Sequence, residues 1–211
     1  MSKVRINTAK DGFVKDGKPF FYFADTVWSV FSNTTPEDWK EYLEYRKQQQ
    51  FNVVQISVLP ILHDTSDTYV GVYPFHIDAA GKWDFYRVND AFFDKAEQMV
   101  AMARQYGMTS ALVVLWANYV PDTLFSKGKA SHVMPFDAVR PYAEYVARRF
   151  AKYDPFYFIS GDTDFGSNET IETYMTALRA VKSVDPEALA SLHLCGANSL
   201  EVDAFVQAAG F

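Results

Sequence analysis

Two aspartates directly follow an apolar stretch of the chain. Residues 156–160 have the composition of a buried strand, and Asp162 and Asp164 come immediately after it. In α/β folds the carboxyl end of a strand is where loops place side chains around a crevice, so Asp162 is the first catalytic candidate. Apolar surroundings favour the protonated form of a carboxyl group, which is the form that a general acid needs. The competing interpretation is an aspartate that caps the next helix or binds loop amides.

Asp164 lies two positions after Asp162, so in an extended segment both carboxylates are on the same side. Three roles are open to it: the second member of an inverting catalytic pair, a metal ligand beside Asp162, or a turn residue that orders the loop. Ser167 and Asn168 are more natural caps for the following helix.

Acidic, amide and aromatic residues also follow two other predicted strands. Asp25 and Trp28 end the first strand, and Trp116 and Asn118 end the third. Sugar-binding sites combine flat apolar surfaces with convergent polar groups, so all four are candidates for substrate binding. Aromatic residues make up 17% of the chain, so a place in the core is the competing interpretation for either tryptophan.

His63 and His193 lie at or just beyond the ends of the second and fifth strands. Either could hydrogen-bond a sugar or orient a carboxylate, since histidine has both a donor and an acceptor. With Asp162 and Asp164 they could instead form a mixed nitrogen and oxygen metal site. A structural hydrogen bond is the simpler role for each. Cys195 is close to His193 in the sequence, but a cysteine–histidine nucleophile is not expected.

The elements that would position these residues alternate between strand and helix. A hairpin with Asp16 and Gly17 in a tight turn opens the chain. Strands are predicted at 20–24, 52–58, 110–115, 156–160 and 188–193, and helices at 36 to about 49, about 90 to 106, 137–153, 168 to about 184, and from 199. This order predicts an α/β fold of five right-handed βα units with a parallel sheet. The irregular segment 59–88 is long enough to predict a functional loop on the active-site side.

Length and charge narrow the classes of function. The 211 residues are 49% hydrophobic, which is enough for a single domain over residues 1–211. A net charge of −6 without a basic stripe argues against nucleic acid, and no segment is apolar for long enough to span a membrane. The single Cys195 and the absence of an apolar leader favour the cytoplasm, although a chain whose signal peptide had been removed would begin in the same way. No cofactor is expected.

Several motifs together resemble the apiosidase-like, DUF4038-type glycoside hydrolases. They are DGKPF at 16–20, ADTVW at 24–28, EYRKQQQFNVVQ at 44–55 and ISGD at 159–162. The resemblance runs from about residue 11 to the end of the chain. It implies a (β/α)8 barrel of the TIM type, here represented by about five units, that acts on a plant-type or bacterial glycan. The family's Gly-Gly-Asp is Ser160-Gly161-Asp162 here.

The resemblance also implies a retaining mechanism with Asp162 as general acid/base. The nucleophilic carboxylate is expected after the seventh strand of such a barrel, downstream of residue 211. Two other functions stay open: a metal-dependent sugar isomerase or aldolase-like barrel that uses His63, Asp162, Asp164 and His193, and a non-catalytic carbohydrate-binding protein. Five parallel strands leave two sheet edges, which predicts self-association through them.

Overall fold

The computed structural model describes residues 3–61, 72–127 and 132–196, and within these ranges it has ten strands and five α-helices. The strands are β1 (Arg5–Ile6), β2 (Phe13–Lys15), β3 (Lys18–Phe20), β4 (Ala24–Thr26), β5 (Val53–Ser57), β6 (Phe75–Ile77), β7 (Trp83–Val88), β8 (Thr109–Trp116), β9 (Phe156–Gly161) and β10 (Leu189–Ser191). The helices are α1 (Val30–Asn33), α2 (Pro36–Gln48), α3 (Asp90–Gln105), α4 (Phe136–Phe150) and α5 (Asn168–Val184).

Five strands form one parallel sheet in the order β10-β9-β8-β5-β4. Neighbouring strands of this sheet follow one another along the chain apart from the inserted hairpin β6–β7, as in consecutive units of a (β/α)8 barrel. All eight residues of β8 are buried at the centre. The predicted α/β fold is confirmed. β4 and β10 are the sheet edges among the described residues, and self-association through them stays a prediction.

The first strand of the parallel sheet was predicted at 20–24 but begins later, at Ala24. Phe20 ends β3 of the hairpin, and pairing with β5 begins only at Ala24. The side-chain amide of Asn52 is the reason: it donates to Phe21 O at 2.7 Å and accepts from Phe23 N at 3.0 Å. These side-chain hydrogen bonds replace β-ladder pairing between residues 21–23 and the segment before β5. The hairpin itself has the predicted turn, with φ of 53° at Asp16 and 72° at Gly17.

The segment between β5 and α3 was expected to be irregular, but its second half is an antiparallel hairpin of β6 and β7. Asp78 Oδ1 closes the turn by accepting from Ala80 N and Lys82 N, both at 2.8 Å. The ring of Trp83 stacks on Tyr119 with centroids 6.0 Å apart. Residues 62–71 lie outside the described part of the chain.

Side-chain caps begin two of the predicted helices. Thr35 Oγ1 accepts from Asp38 N at the start of α2, and Ser167 Oγ accepts from Thr170 N at the start of α5, at 3.2 and 3.1 Å. The helix predicted over 137–153 is α4 followed by a 3₁₀ turn, Ala151–Tyr153. The short α1 was not predicted, and the helix expected from residue 199 is outside the described residues.

The amino end of the sheet is filled by apolar side chains. Val53, Ala111 and Phe156 are buried there, and the hairpin covers them with Phe13, whose ring centroid is 5.5 Å from that of Phe156. Tyr22 packs on the same ring at 5.2 Å. Polar chemistry is therefore left to the carboxyl end of the strands. Among the described residues, no helix has both the length and the apolar character to cross a membrane.

Candidate functional site

Four side chains from four strand ends meet at the carboxyl edge of the sheet: Trp28 after β4, Trp116 at the end of β8, Asp162 after β9 and His193 after β10. We call these four residues the strand-end cluster. The imidazole centroid of His193 is 5.1 Å from Trp28 and 5.8 Å from Trp116, and the two indoles are 5.2 Å apart. The parallel sheet brings them together because its strands all end on the same side.

Asp162 and His193 are in direct contact. His193 Nδ1 lies 3.3 Å from Asp162 Oδ1 and 3.4 Å from Asp162 N, which donates to it. Because Nδ1 is the acceptor for Asp162 N, its contact with Oδ1 is a hydrogen bond when the carboxyl oxygen carries the proton. The two side chains are 31% and 30% exposed. The pair can therefore hold a proton where a ligand can reach it.

The backbone holds this pair in register. His193 N donates to Ser160 Oγ and that hydroxyl donates to His193 O, both at 3.2 Å. Thr163 and Leu194 form a parallel bridge just beyond, and Cys195 N donates to Thr163 O at 3.1 Å. Ser160 was not among the predicted site residues. Its signal was a hydroxyl inside an otherwise apolar strand, next to the candidate aspartate.

The loop after β9 has an unusual backbone. Asp162 has φ of 47° and Phe165 has φ of 48°. Aspartate tolerates the left-handed region, whereas a bulky side chain such as phenylalanine rarely occupies it. Such conformations are concentrated at functional sites. The Phe165 ring is fixed by Tyr174, at a centroid distance of 5.7 Å.

Of the two interpretations open for Trp116, the structure favours a place in the core. Trp116 is only 2% exposed and packs on Gly161, its partner in the β8–β9 register. A Cβ atom on Gly161 would lie 2.3 Å from the indole Cε3. Asn118 is similarly buried, at 3% exposure. Trp28 is the partly exposed tryptophan of the cluster.

Three buried polar atoms near the strand ends have no hydrogen-bond partner among the described residues: Trp116 Nε1, Asn118 Oδ1 and Asp164 Oδ1. Buried polar groups are nearly always paired, so an unpaired set calls for a partner such as a ligand hydroxyl. Asp164 does not cap α5, since Ser167 does so. His63, the remaining predicted binding residue, lies outside the described residues.

Asp25 is separated from the cluster by its contacts. Tyr42 donates to Asp25 Oδ2 at 2.6 Å, and Arg46 Nε lies 2.5 Å from the same oxygen. Both partners belong to α2. Burial, and then the hydrogen bond to Asp25, raise the pKa of the Tyr42 phenol. The carboxylate of Asp25 is thus engaged in fixing α2 to the sheet, and we leave it outside the proposed binding site.

Within the described ranges no group of three or more histidine, cysteine, aspartate or glutamate side chains is arranged to hold a metal ion. The four-residue set considered for a metal site includes His63, which the structure does not describe.

Glycoside hydrolases are among the solved structures with a similar fold. One titled a glycoside hydrolase has a TM-score of 0.71 at 17% identity over 92% of this chain and 41% of its own length. A glycoside hydrolase family 5 protein from Bacteroides vulgatus has a TM-score of 0.69 at 16% identity, covering 96% of this chain and 42% of its own. The endo-1,4-beta-mannanase of Rhizomucor miehei has a TM-score of 0.64 at 15% identity, covering 92% and 61%.

The chain therefore spans about two fifths of the length of the first two of these structures. None of the curated proteins matches it. The sequence profile described as "Apiosidase-like, catalytic domain" matches residues 9–208, which is nearly the whole chain. With the barrel-like sheet and the strand-end cluster, this match means that the chain belongs to the apiosidase-like glycoside hydrolase family.

Proposed function

We propose that this chain contributes the general acid/base to the hydrolysis of an O-glycosidic bond in a plant-type or bacterial glycan, and that Asp162 is that residue. The observation that carries the proposal is the contact between Asp162 and His193 at the carboxyl end of β9, where both side chains are partly exposed. The family match and the fold of its structural neighbours support the class of reaction.

In the first step, protonated Asp162 donates its proton to the glycosidic oxygen as the bond to the leaving sugar breaks. His193 positions the carboxyl group through the contact at Nδ1. In the second step, Asp162 is ionised and takes a proton from the attacking water. A retaining mechanism also needs a nucleophilic carboxylate, which we expect downstream of residue 211.

Substrate contacts come from the same end of the sheet. The half-buried ring of Trp28 can pack on a sugar face, as indoles do in carbohydrate sites. Trp116 Nε1 is a donor, and Asn118 Oδ1 and Asp164 Oδ1 are acceptors, all without partners in the described structure. A substrate with several hydroxyl groups can satisfy both kinds. We propose these residues, with Trp28, as the substrate-binding set.

The test is Asp162→Asn in the intact protein as its source produces it. Turnover of unactivated glycans should fall by about 10²–10⁴-fold while substrate affinity is kept, since the amide cannot donate the proton. Aryl glycosides with a good leaving group need little protonation, so their cleavage should fall far less. Asparagine suits the left-handed backbone of residue 162, so the fold should be unchanged.

Asp154→Asn is the matched control. Asp154 also has a left-handed backbone, with φ of 53°, and its side chain is 29% exposed, but it precedes β9 at the opposite end of the sheet. This variant should turn over glycans like the unmodified protein. Equal activity of Asp162→Asn and wild type would refute the assignment. Oligosaccharide binding without any hydrolysis by wild type would instead support a carbohydrate-binding protein.

A further inference from the structure

A concavity with a volume of about 530 Å³ lies among segments that follow the carboxyl ends of β8 and β9. Its walls are the segment 121–127 that follows β8, the residues 133–136 that lead into α4, and the start of α5. We call it the α4–α5 cleft. Its size is in the range that holds a small-molecule ligand.

The α4–α5 cleft is on the same side of the sheet as Asp162. Thr170 Oγ1, in the first turn of α5, donates to Pro121 O at 2.7 Å. A Cβ atom on Gly166 would lie 3.1 Å from Asp122 O. The loop that carries Asp162 and Asp164 therefore packs directly against a wall of the cleft. A chain-like ligand that leaves the strand-end cluster in this direction would enter it.

The cleft is lined by charged groups that are not paired. Asp122, Lys127 and Glu169 all face it, and none has an ion pair or side-chain hydrogen bond among the described residues. Opposite charges that share a cleft without forming a salt bridge leave their hydrogen-bonding capacity free for a ligand.

An aromatic ring lies at the same place. Phe136, the first residue of α4, lines the cleft and is 50% exposed, next to the apolar Met134 and Pro135. An exposed flat ring beside free carboxylates and an ammonium group is the combination that binds a sugar: the ring packs on C–H groups, and the polar groups take the hydroxyls.

The charge balance restricts the kind of sugar. Two carboxylates and one ammonium group give the lining a net charge of −1, since 1 − 2 = −1, and the chain as a whole has −6. An acidic sugar would be repelled by both. We propose that the α4–α5 cleft binds a neutral sugar unit, the distal part of an oligosaccharide whose scissile bond lies at Asp162. This inference rests on the proposed function.

The experiment measures binding of cellohexaose and mannohexaose by calorimetry, in the Asp162→Asn background so that nothing is cleaved. Phe136→Ala should weaken binding of the preferred neutral hexasaccharide by about five- to tenfold, since the packing surface is lost. Phe136→Tyr keeps the flat ring and should bind like the background protein. Phe21→Ala is the control, because Phe21 is 79% exposed but precedes β4 at the other end of the sheet.

A second test changes the charge of the α4–α5 cleft. Asp122→Asn removes one negative charge without straining residue 122, whose φ of 58° suits asparagine. The Asp122→Asn variant should still bind neutral hexasaccharides more tightly than trigalacturonic acid. The background protein should bind trigalacturonic acid weakly or not at all.

Unchanged affinity in Phe136→Ala would overturn the proposal, and so would tighter binding of trigalacturonic acid than of neutral sugars. The outcomes separate this inference from the proposed function. Loss of binding in Phe136→Ala together with full turnover by Asp162→Asn would refute the acid/base role alone. Loss of turnover in Asp162→Asn with full binding by Phe136→Ala would refute the cleft alone.

Discussion

Trp116 packs so closely on Gly161 that the space a methyl group would need at residue 161 is already filled by the indole, with Cε3 only 2.3 Å from the Cβ position. The glycine is required here for space rather than for backbone conformation. The indole that rests on it packs in turn on Trp28 and His193. The geometry of the strand-end cluster thus depends on the lack of a side chain at Gly161.

Gly161→Ala should therefore disturb both stability and activity. The added methyl group must displace a fully packed indole, and overpacking of this kind destabilises by about 1–3 kcal/mol. His193 moves with Trp116, so kcat should fall as well. Chemical denaturation and glycan turnover measure the two effects.

Gly12→Ala is the matched control, because a Cβ atom there meets only Asn7 Nδ2, at an ordinary 3.5 Å. Its stability should change by less than about 1 kcal/mol. A Gly161→Ala protein as stable and as active as wild type would show that Trp116 can shift freely.

His193 should affect turnover more than substrate affinity. In His193→Ala the carboxyl group of Asp162 loses its contact at Nδ1, and we expect kcat to fall by about 10–100-fold with KM nearly unchanged. His193→Asn retains an acceptor near the Nδ1 position and should recover part of the rate. His76→Ala, which removes an exposed histidine on β6, should behave like wild type. A rise in KM at constant kcat would assign His193 to substrate binding instead.

Asp25 should matter for stability and not for chemistry. Asp25→Asn weakens the contacts with Tyr42 and Arg46, which are partly exposed, so a loss of about 1 kcal/mol is expected with kcat unchanged. A double-mutant cycle with Tyr42→Phe should show coupling, since the two side chains share a 2.6 Å hydrogen bond. A large loss of turnover at full stability would return Asp25 to the substrate-binding set.

Stability at acid pH should depend on Glu97, which joins α3 to the end of α4. Although burial alone would raise it, hydrogen bonds from Lys152 and Tyr153 and the charge of Arg149 bring the pKa of Glu97 below its ordinary 4.5. The ionised form therefore stabilises the fold above pH 4.5, and this contribution is lost as the pH falls through the lower folded value.

Glu97→Gln should be less stable than wild type by about 1 kcal/mol at pH 7, with the difference vanishing in acid. Thermal unfolding over a pH series measures this. Glu172→Gln is the control, since among the described residues Glu172 pairs only with Arg179 and both side chains are 53% exposed. A constant difference between Glu97→Gln and wild type across the series would contradict the linkage.

The sequence predicted best where local chemistry decides the structure. Apolar runs around Val53 and Leu112 are buried strands, and Ser167 caps a helix as expected. The start of the first parallel strand was missed because it depends on the Asn52 amide, which is 29 residues from the Phe23 backbone that it binds. Such a contact leaves no periodic signal in either segment.

The candidate site was predictable in place but not in arrangement. Strand ends of a parallel sheet share an edge, so Asp162 and His193 could be expected near each other although 31 residues separate them. The sequence left the burial of Trp116 undecided, because a side chain at the last position of a strand can turn toward either layer. Gly161, which leaves room for the indole, was the feature of the sequence that pointed to this burial.

The left-handed backbone at Asp162 bears on which acid this site can use. Aspartate occupies that conformation far more readily than glutamate, so lengthening the side chain by one methylene would trade a tolerated residue for a strained one. Because the aspartate side chain is short, the substrate must come closer to the main chain of β9 to reach the carboxyl group of Asp162. An Asp162→Glu variant would keep a carboxyl group but place it incorrectly for proton transfer.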